Sequence, residues 1–293
     1  MTFASFIDTA WNDHGDRPQE VADRLANSKS EIETADDLAR FAQLATHVYG
    51  EHLGRWQDGV ALLESLHALP AFAGSVTNDN AVARGVATLR YANGDIDALQ
   101  TLTSEERVAV LATAASALCT RSDTARAIAA YEQATQLAST GLPEGSPAFR
   151  ALAVAGNNLA ADLEEKRDRT PSETAGMVHA AQNALKFWKI AGTWLQEERA
   201  EYRLSRSLLQ AAAYNDAVQC AQRCLDTCTR NAAPPLELFF ASATLAVTQA
   251  AADDIASSNR SRTAALAHYQ HVPRHQQSWC AQALEELKRL SAC

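Results

Sequence analysis

Apolar residues recur at three- and four-residue steps along most of this chain, the spacing that gives an α-helix one buried face. Leu38, Phe41, Leu44, Ala45 and Val48 trace such a face after Ala35. Gly54 breaks the pattern, and Val60, Leu63, Leu66 and Leu69 resume it until Pro70, which cannot continue the backbone ladder. Thr103-Ser104-Glu105-Glu106 opens a helix through Leu118, and Ser122-Asp123 opens another through Leu137. A loop marked by Gly141, Pro143, Gly145 and Pro147 separates these from helices expected over 148–166 and 172–190, the second with Ser172 and Glu173 in capping positions. Helices over 196–212 and 215–229 follow, then a break at 231–235. Three C-terminal helices complete the chain, with 253–261 and Pro273 between them. The first ~30 residues supply two more, for about fourteen or fifteen helices joined by short connections.

Helix pairs that each bury one face cannot hide it alone, so a cadence of this kind predicts stacked α-hairpins. Leu204-Ser205, Leu208, Tyr214, Ala217 and Cys224-Leu225 give a large-small-large first helix, an aromatic at the turn and small residues where the second helix approaches. Leu111, Ala115, Leu118, Ala127, Tyr131 and Ala134 repeat that order, and Gly54, Trp56, Gly59, Leu63 and Pro70 supply half of a third unit. The arrangement resembles the tetratricopeptide repeat, best over 108–138 and 200–229 and fairly over 40–70. Departures include Ala221 where the repeat usually has an aromatic, and Ser122 and Ala212 where Gly is usual. The resemblance implies an all-α fold, a right-handed α-α superhelix built as a solenoid of antiparallel helix pairs. Residues 1–75 form an N-terminal helical region with a first unit at 40–70. Residues 76–293 form the array, in one continuous domain ended by a polar capping helix with Glu285, Glu286, Lys288 and Arg289.

Composition sharpens this picture. Gly and Pro together are 12 + 8 of 293 residues, too few for the turns of an all-β fold. The net charge of −9 argues against binding nucleic acid or an anionic membrane through bulk electrostatics. Asp8, Asp13 and Asp16 near the start do not fit a secretory signal, no apolar run suffices for a membrane span, and six scattered cysteines suit a reducing compartment. A cytoplasmic protein is expected.

No phosphate loop, dinucleotide fingerprint or nucleophile elbow occurs, so neither an enzyme nor a cofactor is expected. His47 and His52, five residues apart, lie about 140° from each other on an α-helix and are not expected to share a metal. Cys220, Cys224 and Cys228 form an i, i+4, i+8 stripe, a candidate for soft-metal ligation or, equally, for core packing. His268 and His271, near His275 and Cys280, are a second candidate set. Trp188 and Trp194 are read as packing residues.

The arginines are more suggestive. Arg199, Arg203 and Arg206 stand at i, i+4, i+7 with Tyr202 beside them, on a first helix of the best-matching unit. Tetratricopeptide proteins that hold C-terminal carboxylates use a basic pair at this step and an Asn on the preceding repeat's first helix. The resemblance implies Arg199 and Arg203 for the pair and Asn158, with Asn157 adjacent, for the partner. The family's first-repeat contribution is missing, because Ala112 and Ser116 hold its places. The competing reading is a solvated face neutralised by Glu197, Glu198 and Glu201. The expected function is a non-enzymatic scaffold binding a protein or peptide, one with acidic or carboxylate groups, along the concave groove. The alternatives are a repeat regulator sensing a peptide or small ligand, and a metal-handling helical protein. A homodimer through the less regular N-terminal region is compatible with all three.

Overall fold

Four of the helix connections turn on a non-glycine residue in the left-handed conformation: Ser122 (φ 64°), Ala212 (φ 58°), Ala232 (φ 48°) and Asp253 (φ 63°). At each the same pair of backbone bonds closes the helix. After Ser122, the Asp123 amide donates to Leu118 O and the Ser122 amide to Cys119 O; after Ala212, Ala213 donates to Leu208 O and Ala212 to Leu209 O. Ala233 to Cys228 O and Asp254 to Gln249 O repeat it. This is the Schellman closure, in which glycine is favoured because it has no Cβ to crowd the following carbonyl. Ala212→Gly is accordingly expected to raise stability by about 0.5–1 kcal/mol, the relief of left-handed strain outweighing the added freedom of the unfolded chain. Urea denaturation of the two proteins checks it.

The computed structural model describes residues 3–72 and 76–290; Cys293 lies outside them. The helices are α1 (Phe3–Asp13), α2 (Pro18–Ser28), α3 (Ala35–His47), α4 (Trp56–Glu64), α5 (Val76–Ala92), α6 (Ser104–Thr120) and α7 (Thr124–Ser139). They continue with α8 (Pro147–Glu165), α9 (Pro171–Ala191), α10 (Trp194–Gln210), α11 (Tyr214–Arg230), α12 (Pro235–Ala251), α13 (Ile255–Tyr269) and α14 (Ala281–Arg289). The chain divides into two compact units, Met1–Ala155 and Gly156–Cys293.

In the first unit α1 to α5 enclose a core of Ile7, Leu25, Leu38, Phe41, Leu44, Val48, Leu63 and Leu89. Thr34 and Asp37 form a capping box at the start of α3. The region after residue 70, where no repeat unit is legible, contains α5, which packs on α3, α4 and α6. Gly85 permits that approach: a Cβ there would meet Thr46 Oγ1 at 2.5 Å and Leu63 Cδ1 at 2.9 Å. The hairpin of α6 and α7 follows, anchored by buried Tyr131, whose hydroxyl donates to Leu152 O at 3.0 Å.

α3 does not end where its hydrogen bonds first change. It passes into a π-turn over Val48–His52, closed by the Leu53 amide on Val48 O at 3.1 Å. Two bonds from the end of α6 hold this turn. Thr120 Oγ1 donates to Glu51 O at 2.9 Å, and Arg121 Nη1 donates to His52 O at 3.0 Å.

In the second unit α10 pairs with α11 and α12 with α13, while α9 packs on α10 and α11 on α12. Ser205 on α10 donates to Ala217 O on α11 at 2.9 Å, and Ser258 on α13 to Ala246 O on α12 at 2.8 Å, so a small hydroxyl sits at both helix approaches. Two boundaries differ from expectation. Thr170, not Ser172, caps α9, because Pro171 takes the first helical position and leaves Glu173 to complete the box. Residues 253–261 do not form a connection. Asp254 caps α13 by accepting from the Ser257 amide, and the serines that read as loop lie within the helix.

Candidate functional site

The three arginines of α10 each reach a carboxylate of the same unit. Arg199 Nη2 donates to Glu237 Oε1 on α12 at 2.5 Å. Arg203 Nη1 donates to Glu164 Oε2 on α8 at 2.6 Å, while Ser207 holds the other Glu164 oxygen at 2.7 Å. Arg206 grips Glu286 on α14 with both nitrogens, at 2.7 and 2.8 Å, the bidentate fork that guanidinium and carboxylate favour. Arg199 is the open member, its side chain 59% exposed, whereas Arg206 is 14% exposed. Burial pushes the Glu164 carboxyl up, and Arg203 opposes that shift. Tyr202 packs its ring edge-on against Phe240, and the Arg203 guanidinium lies 6.0 Å from the Tyr202 ring. Asn157 is half-buried and Asn158 exposed on α8.

The other faces of α10 are different. Glu198 and Glu201, expected on a solvated surface, are buried, because α9, α11 and α12 cover the helix on several sides. Arg223 on α11 holds Glu201 with two bonds at 2.9 and 3.0 Å. An open cleft of about 470 Å³ lies beside this pair, lined by Lys189, Glu197, Glu201, Arg223, Asp226 and Arg230 among others. Trp188 is buried, as packing requires.

The cysteine stripe divides. Cys220 takes a bond from Arg223, and burial pushes its thiol up to about 11. Cys224 donates to Glu198 Oε1 at 3.1 Å, and with Cys228 these donor atoms lie within 4.8 Å of one another. Bonding to Cys228 and burial hold the Cys224 thiol far above its ordinary range, so it stays protonated and unreactive at neutral pH. Among the described residues one other group of three potential ligands converges, His14, His47 and His52. His268 and His271 belong to neither group; burial, and then the His271 charge, lower His268. The α-helical spacing that kept His47 and His52 apart does not apply, because the π-turn widens the backbone between them.

These stacked hairpins are an all-α helical-repeat fold of the tetratricopeptide-like kind. Two solved structures share it. One is described as a kinesin light chain from Podosopora anserina with nearly identical TPR-like repeats, at TM-score 0.53 and 14% identity over 83% of this chain and 100% of that one. The other is the apo form of RapI, at TM-score 0.57 and 13% identity over 99% of this chain and 70% of that one. No protein-family model matches the chain, and no curated protein matches its sequence. No helix among the described residues is long and apolar enough to cross a membrane.

Proposed function

We propose that the protein is a non-enzymatic, peptide-binding repeat scaffold whose α10 face takes an acidic segment of a partner protein. The observation that carries this reading is the arginine stripe, where three successive guanidinium groups already hold carboxylates of the chain itself. Arg203 and Arg206 are largely covered in their own pairs, so a visitor's carboxylate would meet the exposed Arg199 first. Arg199 is the entry point, since its exposed fork retains donors beyond the one given to Glu237. Asn158 adds an exposed amide on α8.

Fluorescence anisotropy with a labelled peptide rich in Asp and Glu, and a Lys-rich peptide of equal length as control, tests the reading. Arg199→Gln keeps a polar side chain against Glu237 and is expected to weaken the acidic peptide about tenfold, or ~1.4 kcal/mol. Unchanged affinity in that variant, or equal binding of the basic peptide, would remove the proposal.

A further inference from the structure

A separate site stands in the first unit, made by the three histidines that the π-turn and the end of α1 bring together. The ring centroids of His14, His47 and His52 lie 4.9, 4.9 and 4.8 Å apart, and one ring nitrogen from each falls within 4.8 Å of the others. His47 Nε2 and His52 Nε2 already face each other at 3.1 Å. All three rings are half-buried.

What surrounds them distinguishes a ligand set from a chance cluster. His47 Nδ1 meets Glu51 Oε1 at 2.9 Å, and His14 Nδ1 meets the Trp11 carbonyl at 2.5 Å. A carboxylate or carbonyl on Nδ1 fixes the tautomer that leaves the Nε2 lone pair free, which is the outer-shell pattern of histidine metal ligands. The backbone on which Glu51 and His52 sit is pinned from α6 by Thr120 and Arg121. π-turns of this kind concentrate at functional sites, and here the turn does a definite thing: it stacks residues i and i+5, which an α-helix would turn apart.

We propose that His14, His47 and His52 form a three-histidine site for a divalent transition-metal ion of the zinc type, with Glu51 and the Trp11 carbonyl orienting the rings. Neutral imidazoles suit Zn²⁺ over Mg²⁺ or Ca²⁺, and three of them leave a fourth, water-filled position. Bonds of about 2.0–2.1 Å place the three nitrogens roughly 3.3 Å from one another; His47 and His52 already stand at 3.1 Å, and the set as a whole lies within 4.8 Å. On binding, His52 moves its Nε2 proton to Nδ1, a tautomer change within the neutral ring, so that all three imidazoles present a lone pair to the ion.

The test is calorimetric titration of the tag-free, chelator-stripped full chain with zinc chloride. One equivalent should bind, and the ion should raise Tm. His14→Gln and His52→Gln should each weaken binding at least tenfold and abolish the rise in Tm. Glu51→Gln should weaken it about tenfold through the outer shell. The double variant His268→Gln/His271→Gln should bind as the parent does. Circular dichroism of the apo variants verifies that each folds, and His14→Gln, in the turn after α1, is the substitution least demanding of the core. Absence of stoichiometric binding, binding retained with both His14 and His52 replaced, or binding lost in the His268/His271 double variant would each overturn the site.

Discussion

Replacing Glu198 with glutamine is expected to stabilise the protein by about 3 kcal/mol at pH 8 and to change little at pH 5. Glu198 is 1% exposed, its Oε2 is buried without a hydrogen-bond partner, and the groups that face its carboxylate are weak thiol donors, Cys224 on Oε1 and Cys228 beside it. Burial pushes the carboxyl from 4.5 up to about 7; the Cys224 bond opposes the shift, while the neighbouring Glu237 charge adds to it. Between those pH values the folded chain holds a proton that the unfolded chain has released. The associated stability is therefore complete below about pH 4.5 and is lost as pH rises through about 7. Two and a half pH units at ~1.36 kcal/mol each set the scale of about 3 kcal/mol. Glutamine mimics the protonated form at every pH and should flatten the profile. Urea denaturation of both proteins at pH 5 and pH 8 decides it; parallel profiles would show that Glu198 does not titrate in this window.

The hairpins were unequally legible, for a physical reason. Over 108–138 and 200–229 each helix shows large and small side chains in alternation, so the packed face can be read from residue size alone. α12 and α13 give no such contrast. α12 buries ten residues around much of its circumference, including Ser242, Thr244 and Thr248, and α13 buries only Ser258 and Ala265. Helices apolar on all sides, or polar on nearly all, lose the periodic signal although they pair as closely as the others. The turns were obscured in a similar way, because Ser122, Ala212 and Ala232 occupy left-handed positions that glycine would have announced.

At the candidate sites the sequence shows residues within one helix but not what faces them. The arginine stripe of α10 was visible from its spacing; its partners Glu237, Glu164 and Glu286 lie 38, 39 and 80 residues away along the chain. Glu198 carries no mark of its burial, since charged neighbours surround it in sequence. The histidine group was hidden twice. His14 lies far upstream on another element, and a π-turn cannot be inferred from an α-helical wheel that sends His47 and His52 to different faces.

Glu286→Lys is expected to release α14 from the rest of the second unit at a cost of about 2–3 kcal/mol. Arg206 and Glu286 meet in two parallel bonds with side chains 14% and 23% exposed, so removing the carboxylate leaves a largely buried guanidinium facing only the Glu164 charge that Arg203 already holds, and the new ammonium repels it. The partial exposure of both groups keeps the cost below that of a fully buried pair. α14 has nine residues, too few to hold helical structure unaided, and depends on packing through Leu287 and on Arg262, whose Nε donates to Leu287 O. Amide hydrogen exchange over 281–289 should therefore accelerate at least tenfold in Glu286→Lys, while exchange in α10 and α11 stays near the parent's. Adding Arg206→Glu reverses the charges and should recover part of the protection, a result that loss of helix propensity alone would not produce. If the α10 face binds acidic segments, freeing Arg206 also adds a second available fork beside Arg199. The single variant should then hold the acidic peptide more tightly than the parent, even though it is less stable. Unaltered exchange in Glu286→Lys would mean that apolar packing alone keeps α14 in place and that Arg206 is not guarded by it.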